Sequence, residues 1–284
     1  MNYDLTVSIV TYNTEKEILL KILECLQKIK VNIKIFISDN SEKDNIKAII
    51  EKLNDKRIEY IFNNSNNGFG AGHNVIINKI LKKEVSSKYH LIINADIYFE
   101  EGIIENILNY MDNNIEIGQI GPKIKGANGE ITNSCKLIPT PVNLIVRRFI
   151  PIKKMVEKID YDYEMKWYNH ENIMEVPILS GCFIFLRTEV FSKIGKFDER
   201  YFLYLEDYDF CRRVGKEYKV VYYPKVEIVH QHGKESYKSK KMLIVHVKSA
   251  IKYFNKWGWI FDNKRKQINK KIKEKYKNTI YNIK

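Results

Sequence analysis

The sequence predicts an α/β fold with a mostly parallel central sheet, helices on both faces and a helical tail at the carboxyl end. In the first third of the chain, short apolar segments rich in β-branched residues alternate with segments of helical periodicity, an order typical of parallel sheets. The chain has 284 residues and 44% of them are hydrophobic, which is enough to bury a sizeable core. We therefore expect one globular domain followed by the tail.

The amino-terminal part is predicted to contain four buried strands, over residues 5–10, 32–37, 58–62 and 89–94. Three helices are predicted between them, over residues 15–30, 44–53 and 74–81. The first of these helices has apolar residues at helical spacing: Ile18, Leu19, Ile22, Leu23, Leu26 and Ile29. A polar, glycine-rich loop is predicted through residues 67–72, between the third strand and the third helix.

The pattern weakens after Gly121, and residues 126–175, with three prolines, are predicted to form a variable insert or lid. Regular signals return as a strand over residues 178–186 and as two helices, over 188–194 and 205–214, closed by Gly195 and Gly215. Two further strands are expected, over residues 219–223 and 226–229 with Pro224 between them. From residue 242 the chain reads as helical.

The positive charge of the chain is confined to its tail. The formal net charge is +13, and residues 234–284 contain 16 Lys or Arg against 3 Asp or Glu, so the preceding part is neutral. A neutral body without a recognised DNA or RNA motif argues against a nucleic-acid binder. We expect a domain over residues 1–240, with halves of about 1–120 and 121–240, and a basic tail over 241–284.

The cysteines and the hydropathy pattern indicate a cytoplasmic protein. The four cysteines are scattered and form no C-x-x-C pair, which argues against a zinc site built from cysteines and fits a reducing compartment. The first residues do not resemble a signal peptide, and the longest apolar run, over residues 176–186, is too short to span a bilayer.

Polar residues follow all four amino-terminal strands. They are Thr11-Tyr12-Asn13, Ser38-Asp39-Asn40-Ser41, residues 63–67, and Asn94-Ala95-Asp96. Any one cluster could simply form a turn. Four clusters at successive strand ends favour a polar ligand at one edge of the sheet. The Asp96 carboxylate suits a hard divalent cation that shares its oxygen ligands with phosphates, although a helix N-cap near Glu100 would also explain it.

The glycine-rich segment NNGFGAGHN is neither a Walker A sequence nor a dinucleotide-binding fingerprint, because no Gly-Lys-Ser/Thr follows it and its glycine spacing is different. Its glycines would allow a ligand to approach the backbone closely.

Two acids, Glu206 and Asp207, fall at the start of the predicted helix over residues 205–214. Acids there satisfy free backbone N–H groups and suit the helix dipole. The catalytic alternative is that one of the two acids is a general base that accepts a proton, while the other orients the reacting groups. Nearby aromatic residues could form walls that stack on a sugar: Tyr201, Phe202, Tyr204 and Tyr208.

His230 and His232 end the last predicted strand and would point the same way if the strand reaches them. Two histidines with an acid could hold a metal, and an ordinary surface pair is the alternative.

Six segments occur in the order in which one known family has them. They are VSIVTYN, ISDNSEKD, NNGFGAGHN, LIINADIYF, LSGCFIFLRTEVFSKIGKFDERYFLYLEDYDFCRR and IVHQHGKES. Together they cover most of residues 5–257, and the chain resembles the family 2 glycosyltransferases with the GT-A fold, in particular their rhamnosyltransferase-like branch. The resemblance implies that the first half of the domain binds the nucleotide and that the second half binds the acceptor and carries the catalytic residues.

The resemblance implies a role for each matching residue. Asp39 would hydrogen-bond the uracil or thymine ring, with Thr11 and Asn13 near the nucleoside. The nucleotide would also be lined by Asn67, Phe69 and Gly72.

A divalent metal, Mg²⁺ or Mn²⁺, is implied at Asp96, the carboxylate of the family's D-x-D-like motif. In this chain the motif begins with Asn94, which could contact ribose or metal-bound water, so the number of carboxylate ligands stays open. His230 would complete the metal or diphosphate contacts, and His232 could join it. Asp207 would be the catalytic base, with Glu206 beside it.

The implied activity is inverting transfer of a sugar from a nucleoside diphosphate to a hydroxyl of a cell-surface glycan or a lipid-linked saccharide. The branch suggests rhamnose from dTDP-rhamnose, with a UDP-sugar as the alternative donor. A nucleotidyltransferase would need a glycine-rich loop with a basic residue after the first strand, and 7-VSIVTYNTEKE-17 lacks one. A sugar-nucleotide-binding protein without transferase activity stays open.

The tail has an apolar stripe at helical spacing, formed by Leu243, Val247, Ala250, Ile251, Phe254 and Trp257. Lysines beside the stripe allow two interpretations: a helix packed on the domain, or attachment to an anionic membrane surface, where lipid-linked acceptors reside.

Overall fold

The computed structural model describes residues 2–231 and 240–276 of the chain. The strands are β1 (Asn2–Thr11), β2 (Ile33–Asp39), β3 (Ile58–Phe62), β4 (Ser86–Asn94), β5 (Ile97–Phe99), β6 (Ile117–Gly126), β7 (Cys135–Lys136), β8 (Met174–Glu175), β9 (Ile178–Leu179), β10 (Phe183–Arg187) and β11 (Lys219–His230). The helices are α1 (Lys16–Gln27), α2 (Lys47–Leu53), α3 (Phe69–Leu81), α4 (Ile103–Asp112), α5 (Pro141–Leu144), α6 (Lys153–Tyr163), α7 (Glu189–Ile194), α8 (Glu206–Val214), α9 (Lys240–Trp257) and α10 (Asn263–Lys275), with a 3₁₀ helix over Val146–Phe149.

A nine-stranded central sheet organises the described chain. Its strand order is β3-β2-β1-β4-β10-β6-β11-β5, and β8 pairs with β11. The pairings β3-β2, β2-β1, β1-β4 and β6-β11 are parallel, while β10 runs antiparallel to β4 and β6. Six of the nine strands therefore point the same way, which confirms the predicted mostly parallel sheet flanked by helices.

Helices cover both faces of the sheet, because alternate residues of each buried strand are apolar on both sides. In β4, Leu91 and Ile93 belong to the core cluster shared with α1 and α4, whereas Ile92 belongs to the cluster shared with α3, α7 and α8. The apolar residues of β4 are continuous in the sequence because the strand is buried on both faces.

The glycine-rich segment differs from its prediction as a loop. Helix α3 begins at Phe69, so residues 69–72 are helical. Gly68 caps the helix with φ +98°, and a Cβ there would lie 2.0 Å from the Phe202 carbonyl oxygen. Gly72 packs against Val10, where a Cβ would lie 2.7 Å from a methyl group. These glycines bring α3 close to β1 and to the chain around Phe202.

Two strand predictions also need correction. The segment over residues 178–186 is not one strand, because β9 and β10 are separated by residues 180–182. Pro224 does not divide the last strand, since β11 continues past it with a register shift between Tyr223 and Glu227. Proline cannot donate a ladder hydrogen bond, and the irregular register accommodates it. The helices closed by Gly195 and Gly215 are confirmed.

The predicted insert over residues 126–175 contains packed structure. It includes β7, α5, α6 and β8, and β7 pairs with β9 in a small second sheet. Leu137, Met165, Trp167 and Tyr168 are buried in the same cluster as α7 and α8. The buried residues of this segment therefore pack into the body of the fold, and its other residues lie at the surface.

The tail helices pack on the body. Arg212 of α8 and Asp262 form a buried ion pair at 2.9 Å, and Asn269 of α10 hydrogen-bonds the backbone of Ile138. The buried face of α9 differs from the predicted stripe: it contains His246, Ala250, Tyr253 and Phe254, whereas Ile251 is 40% exposed. Within residues 2–231 and 240–276, no helix has both the length and the apolar character needed to cross a membrane.

Candidate active site

The polar ends of the four amino-terminal strands meet at one edge of the sheet. In the strand registers, Thr11 pairs with Asp39, Asp39 with Phe62, and Val10 with Asn94. The carboxyl end of β11, at His230, lies at the same edge because β11 runs in the same direction. The predicted convergence of these segments on one edge is thus confirmed.

Asp39 is the centre of a hydrogen-bond network at the end of β2. Its Oδ1 accepts hydrogen bonds from the Thr11 hydroxyl at 3.1 Å and from the Ser41 hydroxyl at 2.6 Å. Its Oδ2 accepts one from the Tyr60 hydroxyl at 2.7 Å. Because Asp39 is only 1% exposed, Tyr60 and Ser41 cover the carboxylate that was predicted to meet the base. Ser41 belongs to the polar cluster that the sequence indicated, whereas Tyr60 was missed.

The remaining residues predicted to bind the nucleotide differ in exposure. Asn13 is exposed, and its backbone N–H donates to the Ser41 hydroxyl at 2.8 Å. Asn67 is exposed and donates to Ser65. Phe69 is half-buried and its ring contacts that of His73. Gly72 lies in the interior, so it can act on a ligand only by keeping α3 close to β1.

Asp96 and His230 form a half-buried pair at the same edge. Asp96 directly precedes β5, whose pairing with β11 sets Ile97 opposite His230. The His230 Nε2 atom lies 3.2 Å from the Asp96 Oδ2 atom. Burial by itself lowers the pKa of His230, but the Asp96 carboxylate in contact with it and the nearby Cys182 side chain raise it to about 10. His232 lies outside the described residues.

The chemistry of this pair fits a divalent cation. A carboxylate and an imidazole are both ligands of Mn²⁺, and a cation of this kind commonly takes its other ligands from phosphates and water. His230 would have to lose its proton on binding, as metal-bound imidazoles do. Among the residues that the structure describes, no group of three or more His, Cys, Asp or Glu could hold a metal. The protein side therefore offers an incomplete shell that a diphosphate could complete.

Asp207 is held at the start of α8 by two backbone N–H groups. Its Oδ2 accepts from Gly181 at 2.9 Å and its Oδ1 accepts from Tyr208 at 2.9 Å. Burial raises the pKa of Asp207, while these N–H groups and the nearby Lys136 oppose the rise. Tyr204 and Leu205, just before the helix, both have φ of +68°, a strained conformation that is common at functional sites.

Glu206 is more deeply buried than its neighbour. It is 5% exposed, and its Oε2 has no hydrogen-bond partner among residues 2–231 and 240–276. Burial and the charge of Asp207 raise its pKa. Backbone N–H groups of Glu206 and Tyr204 oppose this rise, but one oxygen of Glu206 stays without a donor, whereas both oxygens of Asp207 accept from N–H groups. We therefore assign the proton to Glu206 and the charge to Asp207. The two acids thus differ in protonation at neutral pH.

Residues 180–182, which separate β9 from β10, connect the two acidic sites. Gly181 donates to Asp207, while the next residue, Cys182, lies near enough to the His230 imidazole to raise its pKa. The Cys182 carbonyl also accepts a hydrogen bond from the Asn94 backbone at 3.0 Å. Asp207 and the Asp96–His230 pair therefore flank the same three-residue segment. The sequence placed these residues in an apolar run and in the longest segment of the family resemblance, but it did not indicate the break between β9 and β10.

Lys136 is another residue that sequence reasoning missed. It lies on β7, and its charge acts on both Asp207 and Glu164. Its Nζ donates to the Asn133 carbonyl oxygen at 2.9 Å. No sequence signal marked it, because it falls in the segment without regular periodicity and meets Asp207 only through the pairing of β7 with β9.

The predicted aromatic wall is only partly on the surface. Tyr201 is buried, and the Tyr208 hydroxyl hydrogen-bonds that of Tyr163 at 2.7 Å. Phe202 is exposed and Tyr204 is half-buried, with its ring 5.6 Å from that of His246. Two of the four rings therefore support the fold beneath Asp207, and two can reach a ligand.

The chain is similar to known glycosyltransferases in both sequence and fold. A sequence profile described as Glycosyl transferase family 2 matches residues 6–195. The N-acetylglucosaminyl-diphospho-decaprenol L-rhamnosyltransferase of Mycobacterium tuberculosis is 24% identical over 214 residues, which are 70% of this chain and 66% of that protein. The rhamnosyltransferase WbbL of Escherichia coli K12 is 25% identical over 259 residues, 86% of this chain and 90% of that protein.

Among solved structures, GalNAc-T7 with UDP, GalNAc and Mn²⁺ superposes with a TM-score of 0.60 at 14% sequence identity, over 82% of this chain and 44% of that one. This likeness is one of fold and confirms the expected GT-A architecture. The chain spans about two thirds of the length of the mycobacterial relative.

Proposed function

The chain belongs to glycosyltransferase family 2, and on this premise we propose that it moves rhamnose from dTDP-rhamnose to a hydroxyl of a lipid-linked saccharide, with inversion and with a divalent metal. A UDP-sugar is the alternative donor. The two relatives named as rhamnosyltransferases support the sugar, and the decaprenol-linked substrate in the name of one supports the acceptor class.

The ends of β1 and β2 are proposed to hold the nucleoside. Asp39, Thr11 and Asn13 lie side by side there, and Asn67 and Phe69 lie at the start of α3. Because Asp39 accepts from Tyr60 and Ser41, its contact with the base requires the free lone pair of Oδ2 or a shift of Tyr60. Asn94 is proposed to contact the ribose or metal-bound water.

Asp96 and His230 are proposed to hold Mg²⁺ or Mn²⁺ against the donor diphosphate. When bound, a divalent cation there supplies positive charge that stabilises the departing diphosphate. The sugar–phosphate bond of the donor breaks with its electron pair leaving on the diphosphate, and the acceptor oxygen forms the new bond to C1 from the opposite face.

Asp207 is proposed as the general base that takes the proton of the acceptor hydroxyl. Its ionised state is supported by the Gly181 and Tyr208 N–H groups and by Lys136. Glu206, protonated and buried behind it, keeps a second negative charge away from the incoming oxygen. The single displacement that results inverts the anomeric centre.

The observation that carries this proposal is the position of residues 180–182 between the two acidic sites. Gly181 donates to Asp207 on one side, and the carbonyl oxygen of the next residue, Cys182, accepts from the backbone of Asn94, two residues before Asp96, on the other. A donor whose diphosphate lies at Asp96 and His230 would thus have its sugar within reach of a hydroxyl at Asp207. We also propose residues 1–240 as the transferase domain, with the tail helices bracing α8.

The decisive experiment incubates the full chain with Mn²⁺, a short-chain prenyl diphosphate carrying N-acetylglucosamine, and either dTDP-rhamnose or a panel of UDP-sugars. The product is followed by mass spectrometry, and its anomeric configuration by NMR. We expect a rhamnosylated product whose configuration is opposite to that of the donor. A thermal shift with a nucleotide sugar but no product with any acceptor would instead indicate a binding protein without transferase activity.

A further inference from the structure

A row of exposed apolar side chains runs through the segment that contains α5 and the start of α6. Its members are Val142, Val146, Phe149, Ile152 and Met155, which are between 42% and 68% exposed. In α6 itself only Tyr163 is buried. Five exposed apolar side chains within 14 residues of sequence are a concentration of the kind that marks binding surfaces.

A second exposed apolar segment lies beside the first. It contains Trp259, Ile260 and Phe261, and Phe261 is 90% exposed. Arg265 joins the two segments, since its guanidinium donates to the carbonyl oxygens of Pro139 and Ile260. The Trp259 ring also lies 5.2 Å from the Phe254 ring, and Phe254 belongs to the same core cluster as Leu144 of α5.

Basic side chains surround these apolar residues. Lys153, Lys154 and Lys158 are exposed on α6, and Lys264 and Lys266 are exposed at the start of α10. The acids nearby are engaged: Asp160 pairs with Arg147, Asp262 with Arg212, and Glu157 with Lys153, so that Lys154, Lys158, Lys264 and Lys266 supply the positive charge. The apolar–basic surface, residues 142–158 and 259–266, therefore combines exposed aromatic and aliphatic groups with a positive rim.

We propose that the apolar–basic surface docks on an anionic lipid bilayer, with its apolar side chains in the interface and its lysines on the headgroups. This combination of residues is the one that interfacial membrane-binding elements use. A second copy of the chain is a poor occupant, because it would bring two lysine-rich rims together. The surface differs from the apolar stripe of the tail, since the buried part of α9 is used inside the protein.

The position of the surface relative to Asp207 supports this partner. The core cluster beneath it joins Leu144 and Ala250 to Leu205, two residues before Asp207. His246 of α9 contacts Tyr204 on one side and is influenced by the charges of Arg147 and Arg148 on the other. A docked bilayer would therefore lie next to the side of the site that receives the acceptor. This inference rests on the proposed lipid-linked acceptor.

The test is sedimentation of the full chain with phosphatidylcholine vesicles that contain or lack phosphatidylglycerol. We expect recovery with the vesicles that contain phosphatidylglycerol, and a decrease when salt is added. The double variant F149S/F261S should bind these vesicles at least about tenfold more weakly, because it removes two large apolar groups from the interface. The variant K154E/K158E should also bind more weakly, and its loss of binding should grow with the fraction of phosphatidylglycerol in the vesicles.

Ile115→Ser is the matched control, since Ile115 is 77% exposed but precedes β6 at the opposite edge of the sheet. It should sediment like the unaltered chain, and all variants should keep their melting temperature. Equal sedimentation of F149S/F261S and the unaltered chain overturns the proposal, as does recovery that depends on neither salt nor phosphatidylglycerol. The proposal is also overturned if the unaltered chain binds no vesicles but forms a dimer that F149S/F261S does not form. In that case the surface binds a second copy of the chain.

Vesicle binding needs neither donor nor metal, so its failure is separable from failure of the proposed transferase. If the chain transfers sugar to a detergent-dissolved acceptor but does not bind vesicles, only the proposed membrane contact is wrong. If it binds vesicles but neither binds nor uses a nucleotide sugar, the proposed function is wrong and the surface stands.

Discussion

The backbone N–H of Gly181 donates a hydrogen bond to the Asp207 Oδ2 atom at 2.9 Å, across 26 residues of sequence. A Cβ at Gly181 would lie 2.9 Å from the Asp207 Cβ atom, so only glycine allows this approach. The contact orients the proposed base and, through the next residue, Cys182, links it to the Asn94 end of β4. It is therefore the point at which the acceptor and donor sides of the site depend on one another.

Replacing Gly181 with alanine should displace the Asp207 carboxylate while leaving the donor side nearly intact. A shift of about 1 Å can lower a rate by about 10²-fold, so we expect kcat to fall on that scale with little change in donor affinity. Steady-state kinetics combined with donor titration separate the two effects. Gly129→Ala, in a remote turn whose φ of +80° strains any side chain although a Cβ meets no atom, controls for a general loss of stability. Equal kcat for Gly181→Ala and the unaltered chain would contradict the role of this contact.

The two neighbouring acids should respond differently to conversion to amides. Asp207→Asn removes the proposed base and should lower kcat/KM by about 10²–10⁴-fold. Glu206→Gln replaces a buried protonated acid with a neutral group of the same shape and should cost far less. Both variants are compared in the same transfer assay. If Glu206→Gln were the more damaging change, the roles of the two acids would be reversed.

Removing the charge of Lys136 should change the pH dependence of transfer. Asp207 acts as a base only when ionised, so transfer is lost as pH falls through its pKa, which burial raises above the ordinary aspartate value. Lys136 favours the ionised form, and Lys136→Met should raise that pKa further. The acidic limb of the kcat/KM profile should then move to higher pH. Lys166→Met removes a charge that pairs with Glu164 instead, and its profile should stay in place.

Loss of either proposed metal ligand should remove the metal dependence of donor binding. Asp96→Asn and His230→Ala should each lower transfer by about 10²-fold or more, the scale found when one stabilising group at a developing charge is lost. The thermal shift produced by Mn²⁺ with dTDP-rhamnose should shrink in both variants. Asp4→Asn changes an exposed carboxylate near the amino end of β1 and should keep the full shift. A full shift in the Asp96 variant would place the metal elsewhere.

The tail helices should contribute to the stability of α8. Arg212→Met would leave the Asp262 carboxylate buried without its cation, which costs about 3–5 kcal/mol in free energy of unfolding. Urea denaturation measures the loss. Lys270→Met breaks the exposed pair with Glu274 and should change the unfolding free energy little. A small effect of Arg212→Met would mean that the tail is not part of the same cooperative unit.

Much of the architecture was accessible from local patterns. The strand over residues 58–62 and the helices ending at Gly195 and Gly215 follow from nearby residues alone. The start of α3 was missed because Gly68 and Gly70 read as loop residues, although they are there to fit against Phe202 and Phe197. The break at residues 180–182 was missed because an apolar run carries no sign of where pairing stops.

The sequence by itself determined the alternating fold, the edge at which the polar strand ends meet, and the acids at the start of α8. Parallel strands impose that edge, since the end of one strand must lie beside the end of the next. Only the tertiary structure decided which acid keeps its proton, which face of α9 is buried, and that Lys136 and Cys182 adjoin the site. Those properties depend on contacts between segments far apart in the chain, which local periodicity cannot predict.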